Sequence, residues 1–321
     1  MSRTGLVSVL MPNYNHAHYL PRALDAILAQ TWADLEIIVV DDASTDNSRD
    51  VIAEYSRRDP RVRSIFLAEN AGVNHAVVRA LEVAEGEFIC CAAADDFVAP
   101  NFFECCVTQM NRHPEAGLSF SDPTEFYEKD GTKIHYPLHL TDKPTFYPPD
   151  ALVALFGRNY FHISSNTGLF RASAFRQAGG FDPDLHWMSD WFLVHVLACR
   201  HGACYLPQSL TFLTVRGDSY SAQSLRDSSA QRPMLMKVLG RFATPAYADV
   251  IKRFQDAALI PEYRLRTLYW LLASPLGRQW VTPRLAARIV GRGLWSYIRP
   301  LASPGLRRRL RKLQNALARS K

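Results

Sequence analysis

The 321-residue sequence places acid–base and oxygen-ligand groups at a few sharply defined points. Asp95-Asp96 closes an apolar stretch, residues 88–94. Two adjacent carboxylates repel each other, and an apolar surrounding raises the cost of ionising both unless a cation neutralises them. A hard divalent cation accepts such oxygen ligands. A second pair, Asp41-Asp42, closes "LEIIVVDD". Two further apolar runs end in groups that can bind a polar ligand: Asn13, Tyr14 and Asn15 after the first, Glu69 and Asn70 after another.

The elements that must position these residues are legible as alternating patterns. Buried strands are expected at 6–12, 35–42, 61–70 and 87–94, and helices at 16–30, 44–58 and 72–86. Continuous apolar strands alternating with helices predict a parallel sheet covered on both faces. Ligands of such sheets bind at the carboxyl ends of the strands. That rule brings the polar residues to one edge. Helix capping accounts for Ser44, Thr45 and Asp46, but less well for Asp41-Asp42, one step earlier. No G-x-G-x-x-G follows the first strand and no GxxxxGK[ST] occurs, which argues against a dinucleotide-binding site and a P-loop.

Composition sets the outer bounds. Hydrophobic residues make up 48% and charged residues 21%, as in folded domains. The six cysteines, in apolar stretches without CxxC spacing, read as reduced core thiols. No apolar run reaches the roughly 18–20 residues needed to span a bilayer, and the N-terminus moves directly into a strand pattern. The expected location is therefore the cytoplasm. From residue 230 onward there are 19 Lys/Arg against 3 Asp/Glu, although the whole chain carries only +6. This region reads as helices broken by prolines. Its end, 304–321, sets Leu306, Leu310, Leu313 and Leu317 near one helical face amid Arg and Lys. A basic amphipathic helix fits peripheral attachment to an anionic membrane surface, on the inner face of the cell membrane. Nucleic acid is not an expected partner, since no recognised nucleic-acid motif accompanies the charge.

The stretch 7–48, "VSVLMPNYNHAHYLPRALDAILAQTWADLEIIVVDDASTDNS", resembles the opening of family 2 glycosyltransferases. The resemblance continues through "NAGVNHAVVRALEVAEGEFICCAAADD", "SSNTGLFRASAFRQAGGFDPDL" and "SDW". It implies a GT-A fold: a Rossmann-like, mostly parallel α/β sheet with helices on both faces. The catalytic domain would occupy 1–225, and a helical basic region 226–321. It implies an inverting transferase that takes a nucleotide-diphosphate sugar as donor and a saccharide or lipid-linked hydroxyl as acceptor, with Mn²⁺ or Mg²⁺ as cofactor. On that resemblance Pro12, Tyr14 and Asp41 line the base and ribose pocket. Asn15, Asp42, Asn70 and Asp95 join the nucleotide site, Asp95 and Asp96 hold the metal, and Asp190 is the catalytic base. The chain departs from the family pattern in four ways, one being Val77 where an Arg is often found in the helix after Asn-x-Gly. Ala93-Ala94 precede the aspartates where many members carry a further carboxylate. Ser189 stands where the family has Glu, and Arg216 where it has His. Arg216 there would bind the diphosphate through paired hydrogen bonds. Two other readings stand beside this one: a polyprenyl-phosphate glycosyltransferase, whose phosphate acceptor needs no strong base, and, from these departures, a catalytically silent GT-A domain that binds a nucleotide or partner. Phe161, Trp187 and Trp191 could stack on acceptor sugars or pack in the core.

Overall fold

The computed structural model describes residues 3–158, 161, 163–216 and 227–301. They divide into two compact units, one of 1–149 with 163–223, the other of 150–162 with 224–321. The amphipathic segment expected at 304–321 lies outside the described residues.

The first unit is built on a ten-stranded sheet in the order β3-β2-β1-β4-β9-β6-β10-β5, with β7 on β6 and β8 on β10. Its strands are β1 (Arg3–Asn13), β2 (Leu35–Asp41), β3 (Val62–Phe66), β4 (Gly86–Cys91), β5 (Phe97–Val98), β6 (Leu118–Tyr127), β7 (Thr132–His135), β8 (Thr145–Tyr147), β9 (Gly168–Arg171) and β10 (Ala203–Thr214). The helices around it are α1 (Leu20–Leu28), α2 (Ser48–Arg58), α3 (Val73–Val83) and α4 (Phe102–Arg112). After α5 (Pro149–Arg158), which belongs to the second unit, come α6 (Ala172–Gln177) and α7 (Ser189–His201).

The strands are apolar on both sides because both sides are covered. Val7, Val9 and Met11 of β1, with Ile37 and Val39 of β2, share a core with Leu24 and Ile27 of α1, Ile52 of α2 and Phe103 of α4. The intervening Leu10, Ile38, Val40 and Ile89 are equally buried on the opposite face, where α3 lies along β1 and β2 and α6 along β4. β1 pairs in parallel with β2 on one side and with β4 on the other, and β2 pairs in parallel with β3. The chain thus winds outward from β1 to β3 and returns to place β4 on β1's free side. That reversal opens a crevice at the carboxyl ends of β1 and β4, where ligands of doubly wound sheets sit.

β4 ends at Cys91, earlier than its apolar run predicts. Ala92 still donates its N–H to Leu10 O, after which residues 93–96 form a turn closed by Asp96 N–H on Ala93 O. The alanines are small enough for this turn, so the carboxylate pair lies beyond the strand in a loop of its own. All six cysteines are free, and burial pushes the thiols of Cys90, Cys91 and Cys106 well above their ordinary range.

The second unit is helical. Phe242 packs on Phe254 and Trp280, with ring centroids 4.6 and 4.9 Å away. Leu235, Leu239 and Leu271 are fully buried. Glu262 is neutralised by Arg288 and by Arg292. Among the described residues no helix is long and apolar enough to cross a membrane.

Candidate active site

Register brings the first site residues together. Asn13 and Asp41 are paired partners at the ends of β1 and β2, and Asn13 Nδ2 donates to Asp41 Oδ1 at 2.9 Å. Asp41 is completely buried. Burial alone would raise its pKa. Hydrogen bonds from Ser44, Arg49 and Asn13 outweigh burial and hold the carboxyl below its usual range. Arg49 Nε lies 2.9 Å from Asp41 Oδ2, and its Nη2 donates to Leu67 O at the end of β3. The loop after β1 is tied to the loop after β2 by Asn15. Its side-chain oxygen accepts from Thr45 N–H at 2.8 Å, and its own N–H donates to Ser44 Oγ at 2.9 Å. Asn15 and Ala43 both adopt left-handed backbone (φ 56° and 57°), a strained conformation for non-glycine residues that clusters at ligand sites. Tyr14 is exposed beside this clasp, Pro12 half-buried and Asn70 exposed.

Asp42 has a different occupation. Its two carboxylate oxygens accept the N–H groups of Ala71 and Gly72, each at 2.8 Å. Gly72 has φ 92° and ψ 158°, a region open essentially to glycine, and it leads directly into α3. Asp42 therefore fixes the approach to α3 and has no oxygen free of these bonds. Asp42→Ala should lower stability by about 2–3 kcal/mol, the effect of losing two hydrogen bonds to a charged acceptor. Urea unfolding checks this; an unchanged midpoint would refute it.

The pair Asp95-Asp96 is held from several sides. Arg22 of α1 donates through Nη2 to Asp95 O and to Thr214 Oγ1, both at 2.9 Å. Its guanidinium lies 4.8 Å from the Phe126 ring and 5.0 Å from that of Phe97. Thr214, at the end of β10, donates its N–H to Asp96 Oδ1 at 2.8 Å. Two residues on, Arg216 lies 3.3 Å from Asp95 Oδ2 and donates to His16 Nε2 at 2.9 Å. Asp96 Oδ2 accepts from Asn166 Nδ2 at 2.8 Å. Burial first, and the neighbouring Asp95 charge second, push Asp96 up to about 7. Arg216 offsets the Asp95 charge and Arg22 favours ionised Asp96, but burial outweighs them at Asp96.

Asp190 stands in the first turn of α7, where the helix dipole favours the charged form. Its Oδ1 accepts Trp191 N–H at 2.7 Å, and its Oδ2 accepts the Ser165 hydroxyl at 3.1 Å. That hydroxyl is also 3.1 Å from Asn166 Oδ1. Hydrogen-bond distances therefore link Asp190 through Ser165 and Asn166 to Asp96. Ser165 has one proton for two acceptors, so it can hold Asp190 or Asn166 but not both at once. Ser189, where the family has Glu, is buried and accepts Asp182 N–H at 2.7 Å, closing the turn before α7. Asn74 Nδ2 steadies the same turn by donating to His186 O at 2.8 Å, where His186 adopts φ 42°.

Among the described residues no cluster of three or more His, Cys, Asp or Glu is arranged to hold a metal ion. Asp95 and Asp96 supply two carboxylates. Two carboxylates completed by phosphate oxygens and water form a donor set suited to Mg²⁺ or Mn²⁺.

Comparison with known proteins fits this geometry. The model of the family described as "Glycosyl transferase family 2" matches residues 8–178. The chain belongs to this family. A putative teichuronic acid biosynthesis glycosyltransferase, TuaG of Bacillus subtilis, is 32% identical over 142 residues, 44% of this chain and 55% of TuaG. Matches to curated relatives span between 11% and 55% of those proteins' length. Among solved structures, S. aureus TarS residues 1–349 with UDP-GlcNAc aligns at TM-score 0.65 and 16% identity, covering 88% of this chain and 83% of that one. A mannosyltransferase from Pyrobaculum calidifontis, solved with GDP-Man and Mn²⁺, aligns at TM-score 0.55 and 20% identity, covering 97% and 84%. The fold is thus the GT-A fold expected from sequence.

The structure brings Asp95, Asp96, Arg216 and Asp190 into one linked group with residues that sequence reading did not select: Arg22, Ser165, Asn166 and Thr214. Ser165 and Asn166 did lie in the quoted "SSNTGLF" motif, the one signal that could have found them. Each aromatic candidate rests beside a neighbouring ring, Trp187 with its centroid 6.4 Å from that of His186. Phe161 is stacked on Phe156 with centroids 4.7 Å apart, and Trp191 lies against His195 at 4.8 Å.

Proposed function

We propose that this chain is an inverting glycosyltransferase. It would move a sugar from a nucleotide-diphosphate donor to a hydroxyl of a saccharide or lipid-linked acceptor, in the assembly of a surface polysaccharide or glycolipid. The observation that carries this reading is the hydrogen-bonded line from Asp190 to Asp96 across the carboxyl edge of the sheet. It links a group suited to take a proton with a group suited to hold the divalent cation of a diphosphate donor. The TarS and mannosyltransferase structures, with UDP-GlcNAc and GDP-Man, support a nucleotide-sugar donor, and the name of TuaG supports a polysaccharide product.

Asp95 and Asp96 would hold Mn²⁺ or Mg²⁺, which when bound neutralises charge developing on the departing nucleoside diphosphate. Arg216 would pair with the diphosphate, leaving Asp95 as it does so. Tyr14, exposed just after β1, would offer its ring to the base. Asn15 and Asn70 border that pocket, and Asp42 contributes by fixing its floor. Asp190 would take the acceptor hydroxyl's proton on the face opposite the leaving group, the arrangement that gives inversion in a single displacement. The reading extends to work at the inner face of the cell membrane, with the basic segment 304–321 as the attachment.

A thermal-shift panel of nucleotide sugars, with and without Mn²⁺, tests the proposal. One nucleotide class should raise the melting point in a metal-dependent way, by about 2.7 kcal/mol of stabilisation at a hundredfold excess over Kd. The double variant Asp95→Ala/Asp96→Ala should lose the effect. No shift with any donor would refute the site assignment.

A further inference from the structure

The helix Leu265–Leu272 of the second unit is turned the wrong way for a surface helix in water. Its inward face is filled: Thr267, Trp270 and Leu271 are buried. Its outward face carries Leu265, Tyr269 and Leu272, which are 42%, 70% and 52% exposed. Positions i, i+4 and i+7 share one side of a helix, so these three form a continuous stripe. Surface helices usually set polar residues there, because exposed apolar area is unfavourable in water. Positive charge surrounds the stripe. Arg264 and Arg266 are exposed at the start of the helix, and Arg278 just past its end. The helix packs against Pro283–Leu301, the helix that runs on toward the basic end of the chain.

We propose that this stripe is a docking face for an anionic lipid bilayer. The inference rests on the membrane-surface reading above but moves its apolar contact from the C-terminal segment to Leu265, Tyr269 and Leu272. Leucines at such positions enter the boundary between headgroups and acyl chains, while a tyrosine ring suits the same depth with its hydroxyl at the polar side. Arg264, Arg266 and Arg278 reach headgroup phosphates while their stems stay beside apolar surface. The charge balance selects this occupant over a second copy of the chain. Two such faces would bring together like charges from a region with 19 Lys/Arg and 3 Asp/Glu. Stable peripheral attachment needs two signals, and the stripe with its basic surroundings supplies both.

Flotation of the full chain with phosphatidylcholine vesicles, with and without phosphatidylglycerol, tests this. The wild-type chain should bind the mixed vesicles, less strongly as salt rises, and should not bind phosphatidylcholine alone. The variant Leu265→Ser/Tyr269→Ser/Leu272→Ser should bind the mixed vesicles at least about tenfold more weakly, a 1.4 kcal/mol loss. A second full-length variant, Arg307→Gln/Arg308→Gln/Arg309→Gln, should weaken binding while leaving the stripe's contribution measurable when the two sets are combined. Wild-type-like binding by the stripe variant would overturn the proposal, as would no binding by the wild-type chain. A stripe-dependent dimer in light scattering without vesicles would overturn it in favour of a second copy. Donor hydrolysis measured without vesicles should be unchanged in the stripe variant. Failure of docking is thereby separated from failure of the glycosyltransferase reading, which would show as absent hydrolysis in the wild type.

Discussion

Asp190→Asn is expected to leave the fold and donor binding intact and to slow sugar transfer about a hundred- to ten-thousandfold, the usual contribution of a positioned general base. The substitution keeps the shape of the side chain. Its amide oxygen can still accept from Trp191 N–H or the Ser165 hydroxyl, which are partners of the wild-type carboxylate. It removes the proton acceptor and one negative charge in the first turn of α7. That charge is worth about 0.3–1 kcal/mol at a helix N-terminus, so the melting point should fall by no more than a few degrees. The decisive comparison is between kcat, which should collapse, and the donor-induced thermal shift, which should persist. Near-normal turnover would remove Asp190 as base. It would point to an acceptor already ionised, such as a phosphate, for which no strong base is needed.

The geometry gives this expectation more content than position on a helix would. Asp190 is tied to Asp96 through Ser165 and Asn166, so the base and the carboxylate pair are not independent. If Asn166 keeps its amide N–H on Asp96, its oxygen faces Ser165, and Ser165 must choose between Asn166 and Asp190. Donation to Asp190 weakens it as a base, and donation to Asn166 strengthens it. The occupancy of the carboxylate pair is thus coupled to proton affinity some distance away by one rotatable hydroxyl.

Much of this architecture is written locally in the chain. β1, β2 and β3 with α1, α2 and α3 follow from apolar runs and helical spacing, and the reversal that opens the crevice follows from parallel strands linked by helices. Asp41 and Asn13 could be placed together because they end neighbouring strands. What could not be read is what depends on distant pairing. β10 runs parallel to β6, and that pairing delivers Thr214 and Arg216 to the carboxylate pair from more than a hundred residues away. Arg22 reads as an ordinary exposed helix position until Phe97 and Phe126 close on its guanidinium. Asp42 looks like its neighbour Asp41 in sequence. Only the close approach of Ala71 and Gly72 shows that its two oxygens are taken by the backbone. Periodicity reports which face is buried, but not which hydrogen-bond donors arrive there from elsewhere.

Asp96→Asn should make the donor-free protein more stable at pH 8 while making it a much poorer transferase. In the folded chain burial, and then Asp95, raise this carboxyl from its ordinary value of 3.8 to about 7. The folded state therefore binds the proton more tightly than the unfolded state. A group of this sign contributes stability at low pH and loses it as pH rises from about 4 to about 7, since the folded state binds more protons across that window. Asparagine has no such dependence. Asn166 can turn its amide over to accept from the new side chain, and the Thr214 N–H keeps an oxygen acceptor. The variant should melt about 2–4 °C above the wild type at pH 8, the shift that about 1 kcal/mol produces in a domain of this size. The advantage should shrink or reverse at pH 5, where the wild-type carboxyl is protonated. Adding nucleotide sugar with Mn²⁺ should raise the wild-type melting point at pH 8 and leave the variant nearly unchanged. Transfer should fall at least about a hundredfold, since losing a group that would hold the metal costs more than the roughly ten- to hundredfold of losing a partner that only orients such a group. A variant less stable than the wild type at both pH values would show that Asp96 is held by its hydrogen bonds with Thr214 and Asn166 and not strained by its charge. A fold that is relieved when this carboxylate is removed, and an enzyme that is disabled by the same change, would mean that the strain at Asp96 is maintained for the ligand it awaits.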